Sequence, residues 1–467
     1  MIAIPTQVGT DGFFQQPDSS LPMAACNLFL GILSFLFSVV MLMLDVEPFS
    51  SWFYCFAWWS YILVIDSIVF CRTGSSLLLR RTNEFLFLLP LSVVIWTVFE
   101  AFNLLLKNWY YVNVIEITAL RWAGYSISFA TVLPGIFETA EFLESTRWLK
   151  AWKVKPVSFS AAVRTIIMLA GAASLALCII YPRTCFPLVW CGFFLLFEPI
   201  NYRCGAPSLF KDWEQGSLRK PMLLMAAGLV CGMLWEFWNY WAATKWIYTV
   251  PFFDRFKIFE MTAPGFLGFI PFALECYAMS SLVYLCRSRR GWEHAACSQY
   301  RGRRIRPLAA AGMSVSVFLW CLAVFSAMDK TTVDSYRSFI RDLPAIGTEN
   351  KQQLEACGII LVKDLLRLKS SREGQEKMAR CVSAAPKDLS AWIYTADMVM
   401  LKGMGIVNFQ LLSKAGIADI RALASQEAPA LHRELEKAAA PGPGPARIPD
   451  EAKLRIWIAA AQNSVAL

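Results

Sequence analysis

Nine mostly apolar stretches, each about 20 residues long, constrain the fold of this chain more than any other feature. A helix of about 20 apolar residues crosses the roughly 30 Å hydrocarbon core of a bilayer. Because 57% of the 467 residues are hydrophobic and only 17% are charged, we predict an all-α, polytopic helical membrane protein rather than a soluble enzyme. The predicted spans lie near residues 25–45, 52–71, 85–106, 123–143, 162–181, 184–202, 221–244, 265–286 and 308–328.

The loops between these spans indicate how the chain crosses the membrane. Loops after the second, fourth, sixth and eighth spans carry more Lys and Arg than the other loops, so the positive-inside rule predicts a cytoplasmic N-terminus. Nine crossings then place the C-terminal domain on the outer side of a cell membrane, which we expect to be a bacterial inner membrane. The polar segment 1–24 contains no Lys or Arg, so we expect no cleavable signal peptide and a retained first span.

Acidic residues inside the predicted spans occur twice in the same order. The two sets, related by offsets of 132, 136 and 137 residues, are Asp66, Glu100 and Glu138, and Glu198, Glu236 and Glu275. The neighbouring letters repeat as well, since IWTVFEAFN in the first copy is matched by MLWEFWNYW in the second. Residues 25–150 and 151–287 each hold four spans, and an even number gives both copies the same orientation. We therefore predict a parallel repeat around a shared cavity.

Carboxylates at membrane depth are costly and are functional candidates by default. An Asn follows Glu100 and Glu236 by three residues, on the same helix face, and we expect its amide to donate to the carboxylate. A proline four residues before Glu138 and Glu275 is expected to bend those spans. The catalytic candidates are Glu100, Glu236, Glu138 and Glu275. The substrate-binding candidates are Asn103, Asn239, Asp66, Glu198, Asn201, Trp96, Trp235 and Trp238.

Two interpretations of these acids remain open at this point. In the first, the acids only link helices, because a duplicated gene also duplicates its structural polar groups. In the second, a carboxyl group kept protonated by apolar surroundings transfers a proton to an alkene, and tryptophan faces stabilise the carbocation that forms. For Trp109 and Trp246, near span ends, an interfacial aromatic belt is the favoured interpretation.

The order of aromatic, acidic and proline residues resembles the duplicated membrane units of lycopene-cyclase-domain proteins and related carotenoid-biosynthesis membrane proteins. The residues that carry the resemblance are Trp96, Glu100, Trp109, Tyr110, Pro134 and Glu138, then Trp235, Glu236, Trp246, Tyr248, Pro271 and Glu275. The adjacent Glu-Glu after Pro-Leu of those families is missing here. The resemblance covers about half of residues 50–285 and implies redox-neutral proton chemistry on a long isoprenoid.

Histidine and cysteine usage argues against a metal or redox centre. His294 and His432 are the only histidines, which excludes the His-rich di-iron chemistry of membrane desaturases and hydroxylases. The fourteen cysteines are scattered, without the spacing of a zinc site or a disulfide framework. We expect most of them to behave as small apolar residues. We predict no metal and no cofactor.

A second duplication, with an offset of 58 residues, occupies the predicted C-terminal domain, residues 343–467. Each unit has a Gly at a sharp turn, a short helix, a Gly-Ile pair and a further helix. The pattern is similar to helix-hairpin-helix repeats, and with Trp392 and Trp457 it resembles an uncharacterised tandem arrangement of them over residues 343–463. The predicted turn residues are Gly347, Gly358, Gly403, Gly405 and Gly416.

Charge argues against nucleic acid as the partner of this domain. In many helix-hairpin-helix proteins the hairpin amides hold a nucleic-acid phosphate, but the first hairpin here lacks its first glycine. Residues 329–467 carry 19 Lys and Arg against 16 Asp and Glu, without the marked basic stripe of a nucleic-acid surface. We favour a protein partner or self-association for this domain.

The segments around the last span receive simpler interpretations. The ninth span has no counterpart in the repeat and is predicted to be a tether, followed by a linker at 329–342. The basic loop 288–307 is predicted to fix the topology, and its charge also suits anionic lipid headgroups. The segment 441–449 is expected to be a stiff connection before the last helix.

The sequence supports three alternative hypotheses for the function. The leading hypothesis is that paired acids in a cavity bind, and in an enzyme transform, a long apolar lipid or isoprenoid. The second is a membrane scaffold whose C-terminal domain recruits a protein. The third is proton- or cation-coupled transport, which parallel repeats also suit. The sequence does not decide whether the protein is an enzyme, and it gives no oligomeric state.

Overall fold

In the part of the chain that the computed structural model describes, eight helices are long and apolar enough to cross a membrane. The structure describes residues 20–250, 256–287, 289–294, 307–439 and 447–466. The candidate spans are Leu21–Met43, Phe49–Thr73, Thr82–Leu106, Ala161–Ile180, Pro182–Cys204, Arg219–Trp241, Ala263–Arg287 and Ala311–Thr331. Apolar side chains such as Phe29 and Ile166 point outward, as expected for surfaces that face lipid. The prediction of an all-α, multi-pass membrane protein is confirmed.

The helices of the membrane domain are numbered in chain order. They are α1 (Leu21–Met43), α2 (Phe49–Thr73), α3 (Thr82–Leu106), α4 (Thr118–Phe129), α5 (Val132–Ser145), α6 (Ala161–Ile180), α7 (Pro182–Cys185), α8 (Val189–Cys204), α9 (Leu209–Glu214), α10 (Arg219–Trp241), α11 (Phe269–Arg287) and α12 (Pro307–Thr331). The strands are β1 (Trp109–Val112), β2 (Lys245–Tyr248), β3 (Lys257–Ile258) and β4 (Met261–Thr262).

The predicted fourth span, 123–143, is not one helix but two, α4 and α5. The break lies where Ser92 of α3 inserts its hydroxyl into the helix. Its Oγ donates to the carbonyl of Phe129 at 2.5 Å and accepts from the amide of Leu133 at 3.0 Å, so it replaces one helical hydrogen bond. Pro134 adds to the break, because it has no N–H to give to the carbonyl four residues earlier. The second copy is interrupted similarly, since a 3-10 segment, Ala263–Gly268, precedes α11.

Strands β1 and β2 form an antiparallel two-stranded ribbon that joins the two copies. Each strand follows the third long helix of its copy, and the register pairs Trp109 with Tyr248 and Val112 with Lys245. Alternate side chains point to opposite faces of a strand. Trp109, Tyr111 and Tyr248 pack on the membrane-domain side, and Tyr110, Val112 and Ile247 belong to the core of the C-terminal domain.

The ninth predicted span, α12, is not only a tether, because it also bonds to other helices of the membrane domain. Trp320 of α12 donates from Nε1 to the Thr97 hydroxyl of α3 at 3.1 Å. At the end of α12, Asp329 forms an ion pair of 2.6 Å with Arg121 of α4. The predicted linker is also ordered. The amide of Tyr111 donates to the carbonyl of Thr332 at 2.7 Å, so the chain after α12 pairs with the ribbon.

The C-terminal domain is a helical unit whose core also includes Tyr110, Val112 and Ile247 of the ribbon. Its helices are α13 (Thr348–Ala356), α14 (Val362–Arg367), α15 (Arg372–Cys381), α16 (Pro386–Met400), α17 (Gly405–Lys414), α18 (Ile420–Ala424), α19 (Ala428–Ala438) and α20 (Glu451–Ala466). Trp392 and Trp457 are buried in this core. Cys357 and Cys381 form a disulfide, which the cysteine spacing did not predict because the two residues are 24 positions apart.

The two predicted units of this domain have the same local structure. Gly358 and Gly416, which follow α13 and α17, adopt φ of +87° and +83°. In both, the amide of the next Ile donates at 2.9 Å to a Leu carbonyl five residues earlier, which closes the helix end. The predicted role of these two glycines at helix ends is therefore found in the fold.

The second hairpin of the C-terminal domain, whose turn is Gly403–Gly405, packs against the ribbon. Gly403 has φ of +69°, and a Cβ at this position would lie 2.2 Å from Cγ1 of Val112. Lys402 donates to both carboxylate oxygens of Glu260 at 3.0 Å. A further contact joins Lys363 to Asp45, after α1, at 2.6 Å. At Gly347, the corresponding turn of the first unit, a Cβ would have no described heavy atom within 4 Å beyond its chain neighbours.

Three predicted segments fall mainly outside the described residues. They are most of the N-terminal polar segment 1–24, residues 295–306 of the basic loop and residues 441–446 of the Pro- and Gly-rich connection.

Replacing Gly403 by Ala should weaken the packing of the C-terminal domain on the ribbon. The new Cβ meets Val112, and a non-glycine residue is strained at this positive φ. We expect a loss of about 1–3 kcal/mol, the usual range for overpacking, seen as a lower thermal midpoint of the purified protein. Gly347→Ala is the matched control, because its surroundings are open and its backbone is extended. Equal midpoints for the two variants would contradict the docking role of Gly403.

Candidate functional site

A cavity of about 490 Å³ lies between the two copies, directly beneath the ribbon. Aromatic side chains from both copies and from the ribbon make up much of its wall. These are Trp52, Tyr54, Trp96, Trp109, Tyr111, Tyr125, Phe129, Phe186, Trp190, Trp235, Trp246, Tyr248, Phe269 and Phe272. The cavity lies on the ribbon side of the membrane domain, because Trp109, Tyr111, Trp246 and Tyr248 of the ribbon line it. A cavity between the copies is therefore present, but its lining is mainly apolar and not polar as the paired acids predicted.

Glu100 lies one layer behind the cavity wall and is fully buried. Its Oε1 accepts from Trp96 Nε1 at 2.9 Å, from Trp109 Nε1 at 3.2 Å and from the Tyr111 hydroxyl at 2.5 Å. All three donors line the cavity. Glu100 thus fixes the orientation of three wall residues through one oxygen atom.

Glu236 lines the cavity itself. Its Oε1 accepts from the Tyr248 hydroxyl at 2.7 Å, and its Oε2 has no hydrogen-bond partner among the described residues. The Nε1 of the neighbouring Trp235 is also buried without such a partner. Burial raises the pKa of the Tyr111 and Tyr248 hydroxyls well above their usual value. Both tyrosines therefore stay protonated and act as donors to the two acids.

Asn103 and Asn239 hold the ribbon rather than the acids. Asn103 donates from Nδ2 to the Trp109 carbonyl at 2.9 Å and accepts from the Trp109 amide at 3.2 Å. Asn239 makes the same pair of bonds with Trp246, at 2.9 and 3.0 Å. The expectation that these amides donate to the carboxylates is wrong, because both polar ends of each side chain are occupied by a strand backbone.

Asp66 and Glu198 anchor loops at the end of the membrane domain away from the ribbon. Asp66 accepts from the Ser76 hydroxyl at 2.9 Å and from the Leu78 amide at 2.7 Å. Glu198 accepts from the Ser208 hydroxyl at 2.6 Å and from the Phe210 amide at 2.9 Å. The spacing of 10 and 12 residues is the same in both copies. Neither acid lines the cavity, so the geometry does not support substrate contacts there.

The other candidates also lie outside the cavity wall. Glu275 of α11 accepts from the Phe193 amide of α8 at 2.9 Å, and Asn201 of α8 donates to the Ala278 carbonyl of α11 at 2.8 Å. These two bonds join the same pair of helices. Trp238 packs edge-on against Trp58, with ring centroids 4.8 Å apart. The structure therefore places these three residues in helix packing.

Glu138 is fully buried, and neither of its carboxylate oxygens has a hydrogen-bond partner among the described residues. It lies within interaction range of Asp66 and of the ion pair between Arg81 and Glu141, which measures 2.5 Å. The sequence pattern favours the duplicated acids over Glu141, because the counterpart of Glu141 is Ala278. The structure brings Glu138 into this polar cluster and not to the cavity.

The cations in the cavity wall are engaged with other acids. Arg121 donates to both carboxylate oxygens of Asp329, at 2.8 and 2.6 Å. Lys245 lies 4.0 Å from Glu260. Burial lowers the pKa of the Lys245 ammonium, Glu260 opposes this effect, and the nearby charge of Lys402 adds to it. Within the described part of the chain, no Lys, Arg or His forms an ion pair with Glu100 or Glu236.

The sequence interpretation missed several wall residues. Trp109 and Trp246, which we expected in an interfacial belt, both line the cavity from the ribbon. Their Trp-x-Tyr motif, which recurs at an offset of 137 residues, could have identified them. Trp190 and Phe272 carry no such signal, because an aromatic residue inside an apolar span looks the same whether or not it lines a cavity.

The arrangement suits binding of an apolar molecule with one polar contact. Among the described residues, no group of three or more His, Cys, Asp or Glu could hold a metal ion. A carboxyl group that faces aromatic rings can accept a hydrogen bond, donate a proton or attract a positive charge. Glu236, which lines the cavity, and Glu100, which lies behind the wall, are the two acids placed for these roles.

Comparison with known proteins identifies only the C-terminal domain. A family model described as "Domain of unknown function (DUF4332)" matches residues 344–464. No curated protein and no solved structure is similar to the chain at a significant level. The match confirms the prediction of an uncharacterised-family domain at this end of the chain, whereas the resemblances to helix-hairpin-helix and lycopene-cyclase-domain proteins stay predictions.

Proposed function

We propose that this multi-pass membrane protein binds a single apolar lipid or isoprenoid molecule in the cavity beneath the ribbon. The observation that carries the proposal is the cavity itself, walled by aromatic rings from both copies and containing the carboxyl group of Glu236. Its volume of about 490 Å³ is in the range of small-molecule pockets, roughly 300–1,000 Å³. This size suits one compact isoprenoid or one end of a longer chain.

The position of the cavity supports entry from the membrane. Leu267, which belongs to the cavity lining, is 66% exposed, so the lining reaches the outer surface of the helix bundle. An apolar molecule dissolved in the bilayer can approach this surface without crossing water. An aromatic wall then gains both apolar burial and ring contacts with a conjugated chain.

The placement of the acids argues against the transport alternative. Glu236 lies five residues before the end of α10 at Trp241, or roughly 8 Å at 1.5 Å per residue. Transporter sites of parallel repeats lie near the bilayer midplane. An acid near one end of a span favours a binding pocket over a central relay.

The contacts of the second hairpin argue against nucleic-acid binding by the C-terminal domain. Gly403 faces Val112 at a distance that excludes a Cβ, and Lys402 is paired with Glu260. A phosphate would need the same backbone and the same ammonium group. We infer that this hairpin holds the domain on the ribbon instead.

We also propose that the C-terminal domain lies outside the cytoplasm. Disulfides persist in oxidising compartments, and the disulfide between Cys357 and Cys381 is in this domain. Free cysteines in the described part of the chain, such as Cys71, Cys204 and Cys286, lie in the membrane domain. The loop charges predict the same orientation when the broken pair α4 and α5 is counted as one crossing in addition to the eight candidate spans.

Retinol, a fluorescent isoprenoid alcohol, tests the binding proposal. Purified protein in dodecyl maltoside should bind it, and Trp235→Leu should weaken binding roughly two- to tenfold, because an aromatic contact contributes about 0.5–1.5 kcal/mol beyond area burial. Energy transfer from tryptophan to retinol measures binding. Trp241→Leu, an exposed position on the same helix, is the control. Equal affinities for the two variants would contradict the cavity as the site.

A pair of acid variants separates the structural from the functional interpretation. Glu198→Gln should lower the thermal midpoint, because a charged hydrogen bond contributes about 1.5–3 kcal/mol, without changing retinol affinity of the folded protein. Glu236→Gln should retain the bond from Tyr248 and alter the lipids extracted from producing cells, if the carboxyl group transfers a proton. Unchanged extracts with a normally abundant variant would remove the enzymatic form of the proposal.

Thiol labelling of intact cells tests the orientation. A membrane-impermeant maleimide should modify Cys357 and Cys381 only after a membrane-impermeant reductant is added. The same residues replaced together by Ser provide the control for other cysteines. Modification of this pair only after cell lysis would place the C-terminal domain in the cytoplasm.

A further inference from the structure

The wall of the cavity is rich in aromatic rings and carries one acid, Glu236, that has no ion-pair partner among the described residues. The faces of Trp, Tyr and Phe rings carry negative electrostatic potential and attract positive charge. Phe272 lies at the centre of this wall, with its ring centroid 5.9 Å from Trp96 and 5.8 Å from Trp235. Rings from both copies therefore surround one volume.

Glu236 adds an unpartnered acceptor to the same wall. It is 0% exposed, it lines the cavity, and its Oε2 has no partner among the described residues. A buried carboxylate with a single hydrogen-bond donor, here the Tyr248 hydroxyl, is costly and needs either a proton or a positive group beside it.

The two cations of the described wall do not supply that positive group. Arg121 is held by Asp329 with two hydrogen bonds, of 2.8 and 2.6 Å. Lys245 lies beside Glu260, and its Nζ donates to the Tyr240 carbonyl. An anionic ligand would therefore find no free cation in the described wall and would face Glu236.

We propose that the natural ligand is a cationic amphiphile, whose ammonium-type head is enclosed by the aromatic wall beside Glu236 while its apolar chain fills the rest of the cavity. Aromatic enclosure of quaternary ammonium groups is an established use of ring faces. The inference rests on the proposed function, because it keeps the apolar ligand and specifies that its head group is positively charged.

Three compounds with the same decyl chain separate head-group charge from apolar burial. Decyltrimethylammonium, decanol and decanoate carry a cationic, a neutral and an anionic head. Their binding to the full-length protein in dodecyl maltoside can be measured by scintillation proximity with labelled compounds, after subtraction of empty micelles. We expect decyltrimethylammonium to bind roughly tenfold more tightly than decanol and decanoate to bind most weakly, since cation–π contacts are strongest when desolvated.

Glu236→Gln should reduce the preference for the cationic head over the neutral head of decanol to within about twofold. The variant keeps its size and its acceptor for Tyr248, and an unaltered thermal midpoint verifies folding. Trp241→Leu, outside the cavity, should keep the full preference. Tetramethylammonium, which lacks the chain, should bind far more weakly than decyltrimethylammonium.

The outcomes separate the two proposals. Equal affinities for decanol and decyltrimethylammonium would overturn the proposal of a cationic head and leave the proposal of apolar binding intact. The same conclusion would follow if Glu236→Gln kept the full preference for the cationic compound. If tetramethylammonium binds as tightly as the decyl compound, the amphiphile is overturned. If none of the compounds binds, both proposals fail.

Discussion

The pairing of β1 with β2 is the interaction on which the rest of the structure depends. Each strand has only four residues, yet the ribbon joins the two copies, forms the roof of the cavity and enters the core of the C-terminal domain. Side-chain alternation makes this possible, because successive residues point to opposite faces. Asn103 and Asn239 fix the register by binding the backbone of Trp109 and Trp246. Without these clamps, four residues would hold the strand weakly.

The two copies contain the same set of structural hydrogen bonds but differ in where their acids lie relative to the cavity. Both contain an Asn clamp, a tyrosine that donates to an acid, and an acid that anchors a loop. Oε1 of Glu100 accepts from three donors and this acid lies behind the wall, whereas Oε1 of Glu236 accepts from Tyr248 and this acid lines the cavity. Oε2 of each acid has no partner among the described residues. Duplication thus supplied two equivalent acids, and divergence of the surrounding aromatic residues left only one of them, Glu236, in the cavity wall.

The apolar spans were predictable because length and composition alone decide whether a helix can cross a bilayer. The roles of the acids were not. A carboxylate inside a span looks the same in sequence whether it binds a loop ten residues later, as Asp66 does with Ser76, or faces a cavity, as Glu236 does. The ribbon was missed because its strands are short and pair across more than 130 residues. The disulfide and the break at Ser92 likewise depend on contacts between distant segments.

The pairing of the segment after α12 with the ribbon has a consequence for the order of assembly. Tyr111 gains its backbone partner at Thr332, and Arg121 gains its counter-ion at Asp329, only after the last span has been made. Synthesis proceeds from the N-terminus, so the preceding spans are all made before either partner exists. The roof of the cavity is therefore completed only after α12 and the residues that follow it have been made.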